Sequence, residues 1–422
     1  MASRSSSTLA HGPDTEKLLR KLKTLKNQTL DISNLNITSL PALPQGLKEL
    51  ICIGTNITTL PELPSSLVYV DCSFTKLTSL PTLPSNLEKL ICRHTYLESL
   101  PELPSSLITL ICEMNPLSSF PTLPSNLKLF NCSNTTIPEL PELPSNLLAL
   151  TCSNTQITHL PELPSNLESL ICSNTRVPSL PQLPLTLQAL DCSKTLVSDI
   201  PALPSNVEIL NCSHTTISKL PKLPSELKHF ECISTKIESL PSLPPSLMNM
   251  ECQSSPLQVL PTLPSKLEHL NCSNTCIVSL PELPSTLKYL SCTDCPLTAL
   301  PTLPTNLTGL KCSNTKLTSL PELPYRLLRL AFENTAISQI CFSKKDDGIP
   351  MLSELKCSNT KLKMLPIFRS HLSIYCENTP LHLQKNVTES SREYIQRWNT
   401  WIMNNPNSAN TEGEEDDSYL YE

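Results

Sequence analysis

The stretch LPELPSNLESLICSNTRVPS, residues 160–179, is one copy of a unit that recurs every 20 residues along most of the chain. Proline keeps this spacing from Pro41 to Pro321, and cysteine keeps it from Cys52 to Cys312. A fixed period of this length is the signature of stacked structural repeats, in which each unit contacts its neighbours. We therefore predict one elongated solenoid, although a chain of 422 residues would ordinarily suggest several domains.

Each unit has a pattern that indicates a short strand followed by an extended return segment. Leu170 and Cys172 are two residues apart, so both point to the inner side of a strand while their neighbours face outward. Pro181 and Pro184 favour extended, polyproline-II-like backbone. The spacing L-x-x-L-x-C-x-x-T-x-V is the leucine-rich-repeat pattern. It predicts a leucine-rich-repeat solenoid with parallel β-strands on the concave face, extended convex segments and a short helix at each end.

Eighteen strands are expected, centred on inward-facing residues of the units. These centres are Ile32, the cysteines from Cys52 to Cys312, Phe332, Cys357 and Cys376.

Position 175 holds Thr in nearly every unit, whereas most leucine-rich repeats have Asn or Cys there. Asn115 is the Asn at this place in the regular array. A hydroxyl both donates and accepts, so a ladder of threonines could satisfy buried backbone groups between turns. Asn174, one residue earlier, is expected to serve the turn.

The segments LPELPSNLESL, LPELPSSLITL and LPELPSTLKYL carry a family resemblance. They resemble the short LPxLP repeats of bacterial effector proteins delivered into host cells. The Cys-Ser-Asn-Thr variant also resembles leucine-rich-repeat proteins of giant DNA viruses, such as mimivirus-like ones. In some such effectors a ubiquitin-ligase domain follows the repeats, but too few residues follow here. The resemblance thus implies a recognition module and not a ligase.

The chain divides by composition into an array flanked by shorter segments. Pro13 opens a helical pattern with Asp14 as the expected N-cap, and Ser390 with Glu393 predicts a capping box. We expect a disordered N-terminus over 1–12, a capping helix over 13–29, an array of about 18 repeats over 30–382 with an inserted loop near 341–350, a capping helix over 388–403, and a disordered acidic tail over 404–422. The alternatives are a basic membrane- or nucleic-acid-binding helix at the N-terminus and a partner-docking helix at the C-terminus.

Charge and hydropathy limit the classes of partner and the location. The net charge is −6, which the six carboxylates of the tail equal, so the array is near neutral and nucleic acid is not an expected partner. No apolar run is long enough for a membrane span. The first 30 residues lack a signal-peptide core, which favours the host cell cytoplasm. The Ser-rich segment Ser3–Thr8 leaves a type III secretion leader as an alternative.

Cysteine usage indicates free thiols in a reducing, intracellular setting. Sixteen of the 19 cysteines occupy the inward strand position, where a thiol acts as a compact apolar group. Paired C-x-x-C motifs, a phosphate-binding loop and a nucleophile elbow are all absent from the sequence. We therefore expect no metal, no cofactor and no enzymatic activity.

The outward residues of the strands are the candidate protein-binding residues. An apolar group comes first along the array and is interrupted by charged residues such as Arg93, and a polar group follows it. The candidates are Ile51, Ile91, Arg93, Ile111, Leu129, Ile171, His229, Glu231, Glu251, His269 and Tyr289.

These residues lead to the prediction of a non-catalytic scaffold that binds a protein partner on its concave face, as a monomer. Two alternatives stay open. One is a self-associating virion or filament component, and the other is a substrate-recruiting subunit of a separate enzyme that docks through the helix containing Trp398.

Overall fold

The computed structural model describes residues 12–25, 28–343, 350–369, 371–381, 385–386 and 388–405. Within these ranges the chain forms 18 short parallel strands and two helices. It divides into two compact units, with the boundary between Ile217 and Ser218. The parts of the expected N-terminal segment, inserted loop and acidic tail that fall at 1–11, 344–349 and 406–422 lie outside the described residues.

The first unit consists of a helix followed by ten strands, each pairing in parallel with the next one along the chain. Its elements are α1 (Pro13–Lys23), β1 (Thr29–Asp31), β2 (Glu49–Ile51), β3 (Tyr69–Asp71), β4 (Lys89–Ile91), β5 (Thr109–Ile111), β6 (Leu129–Asn131), β7 (Ala149–Thr151), β8 (Ser169–Ile171), β9 (Ala189–Asp191) and β10 (Ile209–Asn211).

The second unit repeats the arrangement with eight parallel strands and a C-terminal helix. Its elements are β11 (His229–Glu231), β12 (Asn249–Glu251), β13 (His269–Asn271), β14 (Tyr289–Ser291), β15 (Gly309–Lys311), β16 (Arg329–Ala331), β17 (Glu354–Lys356), β18 (Ser373–Tyr375) and α2 (Ser391–Asn404).

Each strand is centred on the leucine-type residue and not on the cysteine, so the expected strand centres are two residues too late. In β2 the buried Leu50 lies between Glu49 and Ile51, and Cys52 follows the strand. The ladder nevertheless continues, because the Cys52 amide donates to the Asp71 carbonyl at 2.8 Å. The chain then turns at Gly54, whose φ is +68°, and this departure from extended backbone ends the strand.

The turn residue of almost every unit has left-handed backbone. Asn174 has a φ of 53°, and this conformation is one that Asn tolerates better than most residues. The asparagine side chains also link adjacent turns, as where Asn334 Nδ2 donates to Asn314 Oδ1 at 2.6 Å. Asn174 therefore does serve the turn, and such residues form amide ladders that sequence reasoning did not anticipate.

Most of the threonine hydroxyls act within their own turn and do not form the expected ladder between turns. Thr95 and Thr275 also bond to the next turn, at Asn115 Oδ1 and Cys295 Sγ. Thr175 Oγ1 donates to the Cys172 carbonyl three residues earlier, at 2.8 Å. Asn115 does bridge turns, since its Nδ2 donates to the carbonyls of Cys92 at 2.8 Å and Cys112 at 3.0 Å. A hydroxyl is shorter than a carboxamide and carries one hydrogen, so it satisfies one carbonyl where Asn115 satisfies two.

The convex segments contain no helix within the described array, in agreement with their prolines. A tight turn precedes each strand, as where the Leu167 amide donates to the Pro164 carbonyl at 3.1 Å. Asn126 at such a turn donates to the Ser105 carbonyl of the preceding unit at 2.9 Å. Convex turns are therefore also tied to one another.

Helix α1 is shorter than the expected 13–29, because it ends at Lys23 and Thr29 already belongs to β1. Gly12 is the N-cap, so the expectation for Asp14 was wrong. Asp14 instead accepts hydrogen bonds from Lys17 Nζ at 2.9 Å and from the Asn36 amide at 3.0 Å. Leu18 is fully buried, so the helix covers the start of the array.

Helix α2 covers the other end of the array. Ser390 and Glu393 form the expected capping box. The apolar face is buried, and Trp398 Nε1 donates to the Leu365 carbonyl at 3.1 Å. Because this face already packs on the repeats, it is a structural cap.

Candidate protein-binding surfaces

The concave residues of β2–β8 form the first surface, which is largely apolar. Ile51, Ile111 and Ile171 are half-buried, and Leu129 is 36% exposed. Ile91 is 6% exposed, so it supports this surface more than it contributes area to it. These side chains align because successive strands pair in register, with Ile91 opposite Ile111.

The charged side chains of the first surface contact neighbouring residues of the same surface. Arg93 Nη1 lies 3.3 Å from Glu113 Oε1, and Glu113 Oε2 accepts a hydrogen bond from Asn131 at 2.6 Å. Asp71 accepts hydrogen bonds from the Ser73 amide and hydroxyl. Burial and the Asp71 carboxylate raise the pKa of Tyr69. The carboxylates are therefore held in place before any partner binds.

The second surface lies on β11–β15 and is mainly polar. Asn249 Nδ2 lies within hydrogen-bonding distance of His229 Nδ1, at 2.9 Å. Glu231 and Glu251 are register partners on adjacent strands. Asn271 Nδ2 donates to Glu251 Oε2 at 2.9 Å. The surface thus presents the carboxylates of Glu231 and Glu251 side by side, and Asn271 holds that of Glu251.

Tyr289 forms a flat platform on the second surface. Its ring packs over Gly309 so closely that a Cβ there would lie 2.7 Å from Tyr289 Cδ2. The His269 ring lies 6.2 Å from it, and Lys311 Nζ lies 5.8 Å from its centroid. Sequence reasoning identified Tyr289 and His269 but missed Gly309, although glycine is rare in this chain, with six in total.

The described residues contain no group of three or more His, Cys, Asp or Glu side chains that could hold a metal ion. His229 and His269 lie on β11 and β13, which are separated by β12. Among the described helices, none is both long and apolar enough to cross a bilayer.

The inward cysteines form ladders of buried free thiols in both units. Burial raises the pKa of Cys52 and Cys192 to about 12, aided by the neighbouring Asp71 and Asp191 respectively. Cys276 and Cys341 are exposed. The ladder thiols are therefore protonated and inaccessible, and they act as core residues.

No protein-family model matches the chain. A search of characterised proteins also gave no match.

Solved structures do match. The chain is similar to YopM from Yersinia enterocolitica WA-314, with 30% identity, a TM-score of 0.78, and coverage of 89% of this chain and 93% of that one. YopM from Yersinia pestis, a leucine-rich effector protein, matches with 28% identity, a TM-score of 0.65, and coverage of 83% and 95%. The functional domain of InlJ from Listeria monocytogenes, which includes a cysteine ladder, matches with 26% identity, a TM-score of 0.60, and coverage of 75% and 70%.

The repeat fold, the buried cysteine ladder and the extent of the match to YopM agree with one another. The chain belongs to the leucine-rich-repeat proteins of the bacterial-effector type.

Proposed function

We propose that the protein is a non-catalytic scaffold that binds a protein partner on its concave surfaces inside a host cell. The observation that carries this proposal is the in-register alignment of side chains along consecutive parallel strands. A rigid row of aligned residues matches an extended partner surface, and solenoids present such surfaces for binding. The similarity to a leucine-rich effector supports the same conclusion.

The two surfaces suit different parts of a partner. The first would bury Leu129 and its apolar neighbours, at about 25 cal/mol for each Å² removed from water. The second offers Glu231 and Glu251 to cationic groups and the Tyr289 ring to a flat apolar group. Because their polar groups are already hydrogen-bonded, little reorganisation would oppose binding.

An intracellular setting is supported by the thiols. The 19 cysteines are free, and free thiols persist in reducing compartments. A protein of the effector type would meet such conditions in a host cytoplasm. The enzyme-recruiting alternative loses its proposed docking face, because Trp398 is fully buried.

The test is affinity capture from a reducing host-cell lysate, read by mass spectrometry, with variants of each surface. Leu129→Glu alters the first surface, and the pair Glu231→Lys with Glu251→Lys alters the second. The matched control is Val259→Glu, which places a charge on an exposed residue away from the strands. We expect a partner that the wild type and the control retain and that at least one surface variant loses.

Two results would contradict this proposal. Equal capture by all variants would exclude the concave surfaces as the binding site. Recovery of the chain's own copies alone, with light scattering that grows with concentration, would instead favour a self-associating structural component such as that of a virion or filament.

A further inference from the structure

The convex segments of the first unit differ in charge from the rest of that unit. Each consists of ten residues between one strand and the next, from 37–46 at intervals of 20 to 197–206. These nine segments hold no Lys or Arg and one His, His159. They hold seven acidic residues, all exposed: Glu62, Glu98, Glu102, Glu139, Glu142, Glu162 and Asp199. The convex face of this unit is therefore acidic along its length.

The cations of the same stretch of chain lie outside the convex segments. Between residues 37 and 206, one cation lies on a strand, two come just before a strand and four follow a strand. These cations are Lys48, Lys76, Lys89, Arg93, Lys128, Arg176 and Lys194. The near-neutral total of the array thus conceals an uneven distribution of charge, which gives the convex face its own electrostatic character.

A groove on this face lies between two consecutive convex segments. Its volume is about 690 Å³, and it is lined mainly by apolar residues, namely Leu163, Pro181, Leu183, Pro184 and Leu185, and also by Glu162. Leu185 is 80% exposed, whereas most units have Ser at this place. The groove is therefore an apolar site on an acidic face.

The turn that contains Leu185 does not depend on its side chain. The Leu187 amide donates to the Pro184 carbonyl at 3.0 Å, and Asn206 Nδ2 donates to the Leu185 carbonyl at 3.2 Å. Both bonds use backbone acceptors, and Ser165 occupies the same place in the preceding unit. The Leu185 side chain thus adds exposed apolar area beside the groove, and such area with a polar border is typical of an interaction site.

The carboxylates beside the groove define the charge of its occupant. Glu142 and Glu162 are exposed and occupy the same place in adjacent turns, whose backbones lie about 4.8 Å apart. This spacing is shorter than the Debye length of about 8 Å, so the two charges repel each other. The cations nearest in sequence, Arg176 and Lys194, belong to the turns after β8 and β9. A basic segment would relieve the repulsion, whereas nucleic acid and anionic lipid would be repelled.

We propose that this groove binds a basic segment of a partner protein, in which a large apolar side chain enters beside Leu185 and flanking Lys or Arg residues face Glu142 and Glu162. The site is distinct from both concave surfaces and goes beyond the function proposed for them. Its variants leave the concave residues unchanged, so either proposal can fail without the other.

The experiment is fluorescence anisotropy with a fluorescein-labelled peptide of twelve residues. The peptide has Phe at its centre, two Arg on each side of it, and Gly and Ser elsewhere. Leu185→Ser removes the apolar contact and should weaken binding about tenfold. Glu142→Gln with Glu162→Gln removes the charges. It should weaken binding about fivefold in 0.05 M salt and less than twofold in 0.5 M salt, because salt screens exposed charges.

The controls separate the groove from the general charge of the convex face. Glu62→Gln with Glu98→Gln removes the same charge from exposed positions that do not line the groove, and it should change binding less than twofold. A peptide with Ala in place of Phe, and a peptide with Glu in place of Arg, should each bind the wild type at least tenfold more weakly. The thermal midpoint of Leu185→Ser should equal that of the wild type, because most units have serine there.

Several outcomes would overturn the proposal. A wild-type protein that does not bind the basic peptide has no such site. Equal binding by the wild type and the groove variants would place the contact elsewhere, and equal weakening in the Glu62→Gln, Glu98→Gln control would reduce it to diffuse attraction. A lower thermal midpoint for Leu185→Ser would make Leu185 a structural residue. Self-association of the wild type that Leu185→Ser abolishes would assign the groove to a second copy of the chain.

Discussion

At the scale of single residues, the repeat position of Thr175 and Asn115 satisfies buried backbone carbonyls in two ways. Thr175 satisfies the Cys172 carbonyl of its own turn. Asn115 satisfies carbonyls of two turns and also accepts a hydrogen bond from the Thr95 hydroxyl. In the sequence, Asn115 differs from the threonines at the same position of most other units. The stacking distance between turns then decides which carbonyls each side chain reaches.

We predict that Asn115→Val destabilises the protein far more than Asn115→Thr. Valine leaves the Cys112 carbonyl without its side-chain donor, at about 1–3 kcal/mol for an unsatisfied buried group, whereas the Cys92 carbonyl keeps the Thr95 hydroxyl. Threonine restores the bond that other turns make and should cost under about 1.5 kcal/mol. Urea unfolding followed by circular dichroism measures both.

The matched control for this comparison is Thr175→Val, which removes one hydrogen bond within a turn. Its loss of stability should be intermediate between the losses in the two Asn115 variants. Equal midpoints for Asn115→Val and Thr175→Val would show that the bridging bonds add nothing to stability.

At the scale of elements, the helices were predictable in position and less so in extent. The capping box at Ser390 and Glu393 appeared as expected, because both partners lie within four residues of sequence. Helix α1 ends before the expected 29, because Thr29 pairs with Glu49 in the sheet. Sheet pairing joins residues that are 20 apart in sequence. Such tertiary contacts override a local helical pattern.

We predict that Trp398→Ala opens the C-terminal end of the array. It removes a fully buried indole and its hydrogen bond to the Leu365 carbonyl, at about 3–5 kcal/mol. Since repeats are stabilised by their neighbours, the loss should be local. Hydrogen exchange should quicken in β17 and β18 and stay unchanged in β2–β5.

Met403→Ala is the control for α2, because Met403 lies on the exposed side of the same helix. Its exchange rates should match those of the wild type. Uniform acceleration over both units in Trp398→Ala would contradict local capping.

At the scale of the whole molecule, the cysteine ladders link stability to pH. Burial raises the pKa of Cys52, Cys92, Cys192 and Cys312 to about 12, against an ordinary value of 9.0. The folded state therefore keeps protons that the unfolded chain releases above pH 9. The stability that the neutral thiols contribute is complete below about pH 9 and is lost as the pH rises towards 12.

We predict a steep fall of the urea midpoint as the pH rises from about 9 towards 12, in the presence of reductant. Each ladder thiol removes up to about 1.4 kcal/mol per pH unit once the unfolded thiol ionises. The variant Cys52→Ala with Cys192→Ala should show a shallower fall. The lysines are the same in both proteins. If the urea midpoint falls equally with pH in the wild type and the double variant, the thiols are not responsible for the fall.

The sequence by itself determined the repeat, its period, the inward leucine and cysteine positions, the extended convex segments and the two end helices. It could do so because periodicity, proline geometry and capping are properties of nearby residues. The tertiary structure decided what depends on the distance and register between turns. That includes Asn115 bridging two carbonyls, Gly309 under Tyr289, the burial of Ile91, and the groove beside Leu185. Residues 20 apart in sequence become neighbours only when the turns stack.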